Sequence, residues 1–355
     1  MTHKERVLTA LGHKPTERVP LDFWATSDVT NTLIQHLRLP DEESLLRELD
    51  IDLRLLTPRP LGAEREPAAP SEYTDVWGVR RRLVSYGGGS YWEVSEYPLA
   101  SVREPADLKD YAVPDPAAYD FEGLKRRAEK LQEYAVVLYP DRLNRTSLLK
   151  GASYLRGFEQ FLMDLVLAPP LARSILAILR DYYLRHNEHL FEATRGLADI
   201  FLMGDDFGSQ RGLILSLDMW REFLRETLEE FVAQAHSYGL RVIFHSCGDV
   251  RSLIPDLIEI GVDVLNPLQR TGEMDIEEIK ATFGSRLSFH GAIDVQRLLP
   301  FAPEATLREE VRKTIATLGR GGGYILCSSH NIQSDTPIRN VLALYDEARR
   351  FRIAD

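Results

Sequence analysis

Short apolar runs alternate with longer segments of helical period along nearly the whole chain. The runs that read as strands are Val19–Trp24, Ile51–Leu56, Ala135–Tyr139, Asp199–Met203, Arg241–His245, Val262–Asn266, Leu287–His290 and Tyr324–Cys327. Helical spacing marks Ser216–Tyr238, Asp249–Ile260, Asp275–Phe283, Pro303–Leu318 and Pro337–Phe351. Thr2 and Glu5 stand at capping-box distance ahead of Val7, Leu8 and Leu11, so the chain opens with a short helix. The rhythm is tightest in the second half, where Gly239, Gly261, Gly284 and Gly323 punctuate the helix-to-strand returns. Strands and helices alternating in this way predict a parallel sheet covered by helices, and eight such strands favour a closed (β/α)8 TIM barrel over an open doubly wound sheet. The expectation is one barrel domain over residues 1–355. One segment breaks the rhythm: Thr74–Leu99 reads as two alternating runs around a glycine-rich turn. That is a hairpin inserted after the second strand, serving as a lid over one mouth, a dimer contact or a structural flap.

Composition narrows the class. With 355 residues, 44% hydrophobic and 27% charged, the chain is an ordinary globular protein with ample core. A net charge of -11 argues against a nucleic-acid-binding surface, and the basic runs Arg80–Arg82 and Lys125–Arg127 read as solvated faces. Two cysteines, Cys247 and Cys327, exclude a disulfide framework. No apolar stretch approaches the length of a membrane span, and the polar N-terminus is unlike a signal peptide, so a cytoplasmic location is expected.

The sharpest local feature is Phe244-His245-Ser246-Cys247-Gly248-Asp249, directly after a strand. Active sites of such barrels sit at the C-terminal ends of the strands. Residues two apart in a strand point the same way, so His245 and Cys247 converge on one point, either as zinc ligands or as a core histidine beside a small cysteine. A third ligand has to come from another strand end. The last strand offers Cys327, which also reads as packing, and His330 on the following loop. Either leaves one zinc position open, as in catalytic rather than structural sites. Asp205 and Asp206 follow the fourth strand, where they serve acid–base chemistry, cation binding or turn capping. Asn266 and Gln269 follow the sixth, and His290 and Asp294 the seventh. So many polar strand ends point to an enzyme or a ligand binder.

Several stretches resemble the uroporphyrinogen decarboxylase superfamily: GDDFGSQRGLILSLDMWREF, FHSCGDVRSLIPDLIEIGVDVLNPLQ, FHGAIDVQRLLPF, GGGYILCSSHNIQSDTPIRN, the opening KERVLTALGHKPTERVPLDFW and the hairpin element DVWGV. The resemblance is essentially full-length and implies a (β/α)8 barrel with its cleft at the strand C-termini. True decarboxylases of this superfamily carry an N-terminal Arg-Gln-Ala-Gly-Arg segment that holds substrate carboxylates. Here the sequence after Pro20 reads LDFWATSDVTNTL, without an arginine, which counts against that activity. The other branch comprises corrinoid-linked methyltransferases, in which a His-x-Cys pair and a later cysteine hold zinc. His245 and Cys247 match the pair. Counted back from the shared Thr-Pro, the family's last cysteine falls at His330, seven residues before Pro337, which makes His330 the expected third ligand and Cys327 the alternative.

The resemblance thus implies a zinc-dependent methyltransferase that moves a methyl group between a partner corrinoid protein and a small thiol-type acceptor. In this reading Asp205, Asp206 and Asp294 are catalytic groups. Trp24, Trp77, Gln210, Asn266, His290, Gln296 and Asn331 bind substrate, and a homodimer is a further expectation. Two alternatives stand beside it. One is metal-free decarboxylation of a porphyrinogen or related carboxylate, with Asp52 or Asp205 stabilising a protonated pyrrole. The other is a non-catalytic barrel that binds a ligand or a corrinoid partner.

Overall fold

The computed structural model describes residues 1–61, 71–86, 89–139, 145–270 and 274–352. Seven strands form one parallel sheet in sequential order: β1 (Leu53–Leu56), β2 (Ala135–Leu138), β3 (Ile200–Gly204), β4 (Arg241–His245), β5 (Val264–Leu268), β6 (Ser288–Ile293) and β7 (Tyr324–Ser328). Every neighbouring pair is parallel, with helices between consecutive strands.

The eighth stave is the segment expected as the first strand. Leu21 bridges Leu326 of β7 in parallel, and Asp52, just before β1, donates its N–H to the Leu21 carbonyl. The segment therefore joins the two edges of the sheet and closes a TIM-type barrel. It forms isolated bridges rather than a continuous ladder for a local reason. Pro20 has no N–H to give, and the N–H groups of Leu21 and Phe23 are taken by the carboxylates of Asp52 and Asp22.

Side-chain alternation divides the core in two. Leu53, Ala135, Val137, Ile200, Leu202, Ile243, Val264 and Ile325 fill the barrel, and Val7 and Leu11 of the N-terminal helix His3–Leu11 plug its lower mouth. The capping box of Thr2 and Glu5 is present on that helix. The alternate residues, among them Phe201, Met203, Phe244, Leu265 and Phe289, face outward beneath the helices. Two steps above the inner apolar layer the same positions turn polar: Ile243 is followed by His245, Val264 by Asn266, and Ile325 by Cys327. The site is the top layer of the barrel core.

Other expected elements shift modestly. Ser216–Tyr238 is interrupted at Leu224 into Leu217–Phe223 and Arg225–Ser237, and the helix expected from Asp249 begins as a 3-10 turn at Arg251. The hairpin has three antiparallel strands, Glu72–Thr74, Arg80–Tyr86 and Gly89–Glu96, and residues 87–88 of its expected turn lie outside the described residues. Arg80 and Arg82 pair with glutamates across the exposed face, whereas Arg81 is buried against Asp75 and Tyr154.

At the lower mouth, fully buried Asp52 accepts hydrogen bonds from His3 (2.8 Å), Arg18 (2.7 Å), Arg6 and the backbone of Leu21. It is not a cleft residue and does not fit the pyrrole-stabilising role expected for it: it sits at the wrong end of β1, committed to two arginines. Burial alone raises its carboxyl, but His3, Arg18 and Arg6 outweigh burial and hold it below the usual range. Its contribution is therefore complete above about pH 4, where the unfolded carboxyl is ionised, and is lost as pH falls through the depressed folded value. Asp52→Ala is expected to cost about 3 kcal/mol at pH 7, because Arg6 and Arg18 lose their shared buried carboxylate and keep only the more exposed Glu17 and Asp50. Urea unfolding of both proteins should show the gap shrinking below about pH 4. A gap unchanged from neutral to strongly acidic pH would contradict this role.

Candidate metal and substrate site

His245 ends β4 and points into the barrel, 1% exposed. Its Nε2 lies 3.4 Å from Cys247 Sγ and 3.3 Å from Asp206 Oδ1, which also accepts the Cys247 N–H at 3.3 Å. On its other side, His245 Nδ1 meets Asn266 Oδ1 at 2.5 Å. Asn266 Nδ2 lies 2.6 Å from His290 Nδ1, and His290 Nε2 lies 2.9 Å from Asp22 Oδ2. Trp24 donates Nε1–H to the same Asp22 oxygen (2.9 Å), and its ring stacks over His245 with centroids 5.9 Å apart.

Close backbone approach builds the pair of loops that carries Asp206 and Cys247. A Cβ on Gly204, whose φ is +145°, would stand 2.2 Å from the His245 carbonyl oxygen, and one on Gly208 would stand 2.4 Å from that of Cys247. Only glycine lets the loops meet there. Ser246 Oγ accepts the Phe207 N–H, and Gln269 Oε1 accepts the Gly248 N–H, which pins the Cys247 turn.

Electrostatics follow from this burial. The His245 imidazole is pushed down to about 4, first by burial and then by Arg145, so it is neutral at pH 7. Burial, reinforced by Asp206, pushes the Cys247 thiol up to about 12. Burial opposes ionisation of Asp206 too, but the nearby cations Lys150 and Arg145 hold its carboxyl below the usual range, while His245, being neutral, adds no charge there. Lys150 Nζ stands 3.6 Å from Asp206 Oδ2.

The donor atoms of Asp206, His245 and Cys247 lie within 4.8 Å of one another. An imidazole nitrogen, a sulfur and a carboxylate oxygen are all zinc ligands, and a dication would supply the positive charge that a Cys247 thiolate lacks here, so the residues fit the metal. Among the described residues, the group brought to His245 and Cys247 is thus Asp206. His330 is not in this set: it lines the adjoining cleft, where burial and the nearby cations Arg145 and Lys150 lower its pKa. Cys327 is fully buried and clusters instead with Asp22 and His290, within the same 4.8 Å limit. Its thiol is pushed well above its ordinary value by burial.

The remaining expected site residues divide clearly. Trp24 and Asn331 line a cleft of about 820 Å³ beside the cluster, and Asn266 and His290 form the hydrogen-bonded layer behind it. Trp77 does not reach the cleft: it is 3% exposed and packs edge-on against Tyr182 under the hairpin. Gln210 and Gln296 are exposed on loops. Asp294 accepts the N–H groups of Gln296, Arg297 and Leu298 and so shapes its own turn. Asp205 is 1% exposed and accepts three N–H groups, of Leu148, Leu149 and Lys150 at 2.6–2.7 Å, at the start of helix Leu149–Arg156. Burial pushes its carboxyl up to about 6 against those donors. These three donors make Asp205 a capping group. Asp22, Arg145 and Lys150 went unread in the sequence; an aspartate inside the apolar run Val19–Trp24 was the one available signal.

Residues 98–351 match the family model described as uroporphyrinogen decarboxylase (URO-D). The chain belongs to the uroporphyrinogen decarboxylase family. Within it, the chain is 27% identical over 147 residues to the methylcobamide:CoM methyltransferase MtaA of Methanosarcina barkeri, a match that covers 41% of this chain and 40% of that protein. A uroporphyrinogen decarboxylase of Edwardsiella ictaluri is 25% identical over 283 residues, 75% of each chain. The fold agrees with that of a solved methyltransferase from Methanosarcina mazei, with a TM-score of 0.71, 21% identity and 99% of both chains covered. The relatives named here thus include a methyltransferase and a decarboxylase. No described helix is long and apolar enough to cross a membrane.

The two adjacent aspartates should separate cleanly on mutation. Asp205→Ala is expected to lower unfolding free energy by about 2 kcal/mol through loss of the cap. Asp206→Ala removes a half-buried carboxylate favoured by Lys150 and Arg145, and after solvent screening is expected to cost less, about 1 kcal/mol. Chemical denaturation checks both, and the reverse order would contradict the assignment.

Proposed function

We propose that this chain is a zinc-dependent methyltransferase that moves a methyl group between a corrinoid carried by a partner protein and a small thiol-type acceptor. The observation that carries the reading is the convergence of His245 Nε2, Cys247 Sγ and the Asp206 carboxylate at the C-terminal mouth of the barrel. Similarity to a relative named as a methylcobamide:CoM methyltransferase supports it. His245, Cys247 and Asp206 would hold the metal, with Asp206 in the third position that the sequence assigned to His330. Zinc bound there supplies a Lewis-acidic position that lowers the pKa of an acceptor thiol.

The chain's own residues prepare the rest. Neutral His245 offers a nitrogen lone pair, and Trp24 presents a flat wall where the cleft meets the cluster. Arg145 donates Nε–H to Tyr139, and its buried Nη1 has no hydrogen-bond partner among the described residues. With Lys150 it favours an acceptor that carries a negative charge beside its thiol.

Metal analysis of chain purified without chelator tests the reading. Zinc is expected at stoichiometric level in the wild type and in His330→Ala, and lost in His245→Ala and Cys247→Ala. The wild type should methylate a small anionic thiol from methylcobalamin, and the zinc-free variants should fall at least about a hundredfold. A metal-free wild type, or full zinc in His245→Ala together with Cys247→Ala, would sink it.

One observation favours a second reading, metal-free decarboxylation. Although the N-terminal arginine segment is missing, other elements bring Arg59, Arg127 and Arg145 to the cleft, and these are cations able to hold carboxylates. Turnover of fresh uroporphyrinogen by chelator-treated protein is its expected outcome, and no turnover would remove it.

A further inference from the structure

The layer behind His245 holds three polar side chains that connect to the metal-capable trio through His245. Asn266 and His290 are 0% exposed and Asp22 6%, so none is satisfied by solvent. The chain of contacts runs Asp22 Oδ2, His290 Nε2, His290 Nδ1, Asn266 Nδ2, Asn266 Oδ1, His245 Nδ1, with steps of 2.9, 2.6 and 2.5 Å between residues. Read from Asp22, its polarity has one solution for neutral imidazoles. An ionised carboxylate only accepts, so His290 must carry its proton on Nε2. His290 Nδ1 is then an acceptor, which requires the Asn266 NH2 group to face it. Asn266 Oδ1 is thereby turned to His245, whose proton must sit on Nδ1. What remains on His245 Nε2 is a bare lone pair, aimed at the space shared with Cys247 and Asp206.

We propose that Asp22, His290 and Asn266 are positioning residues that set the tautomer and the ring orientation of His245 across the barrel. An amide and an imidazole are each ambiguous alone, since either can be flipped. Asp22 removes the ambiguity because it cannot donate, and it is itself held by the indole N–H of Trp24 and the backbone N–H of Phe23. The Asp22–His290–Cys327 cluster then needs no ion of its own: two of its members already hydrogen-bond each other in the chain that ends on His245. The proposal rests on the metal reading given above for His245.

Two measurements test it on the full chain. The first is a long-range 1H–15N correlation spectrum of the imidazoles in zinc-free wild type, with His245 and His290 assigned from His245→Gln and His290→Gln samples. Neutral His245 protonated on Nδ1 and neutral His290 protonated on Nε2 are expected. The second is zinc affinity by competition with a chromophoric chelator. Asn266→Ala should bind zinc about 10- to 100-fold more weakly, the range for loss of a group that orients a metal-binding histidine. Asn266→Asp, which keeps an acceptor for His245 Nδ1–H, should recover most of that loss. Where these variants do not fold, the wild-type spectrum decides alone. Wild type that takes up zinc with either tautomer reversed, with His290 doubly protonated, or with Asn266→Ala binding as tightly, overturns the relay and leaves the metal reading standing. Wild type that takes up no zinc overturns the metal reading, and the relay's purpose with it.

Discussion

A polar group sealed inside a protein costs stability unless another group satisfies it, and at the top of this barrel that constraint organises everything nearby. The strand period carries one inward position per strand from the apolar layer up to His245, Asn266, His290 and Cys327. None of the first three meets water, so each is satisfied by the next, across three strands and onto Asp22 in the closing segment. The segment that completes the barrel is therefore also the one that anchors the polar layer. Its irregular backbone reflects this double duty, since Asp22 and Asp52 take N–H groups that a regular ladder would have used.

The same economy places charge at the two mouths. Below, Asp52 neutralises Arg6 and Arg18 and locks the N-terminal plug to β1. Above, Asp206 is the one carboxylate of its loop that reaches the trio, because its neighbour Asp205 is turned inward to cap a helix. Two consecutive aspartates thus do separate jobs, one holding the helix that supplies Lys150 and the other facing His245 and Cys247. Arg145 and Lys150 sit near enough to favour the ionised carboxylate while leaving His245 neutral.

Strand period and loop polarity made the barrel and the His245–Cys247 pair legible from sequence, because both depend on neighbours in the chain. His245, Asn266 and His290 were recognisable as strand-end groups for the same reason. Their mutual hydrogen bonds were not, since residues 245, 266, 290 and 22 meet only after closure. Trp77 and Asp205 show the opposite failure: a large aromatic and a buried carboxylate look functional in a sequence, yet each satisfies a packing or capping need set by a helix far along the chain. The third group at the pair was assigned by counting along the last strand, whereas the loop after β3 delivers Asp206 through the glycine contacts at Gly204 and Gly208. Similarly, Arg59, Arg127 and Arg145 reach the cleft from separate elements, which no local motif announces.

Family membership fixes the scaffold and leaves two chemistries within it, so the donor set at His245 is the point on which the account turns. Zinc-edge X-ray absorption of the zinc-loaded wild-type chain reads that set directly. One sulfur scatterer at about 2.3 Å, with the remaining shell made of nitrogen and oxygen at about 2.0–2.2 Å, is the predicted result. A shell with two sulfurs, or one with no sulfur at all, would contradict the assignment of His245, Cys247 and Asp206 as the metal site.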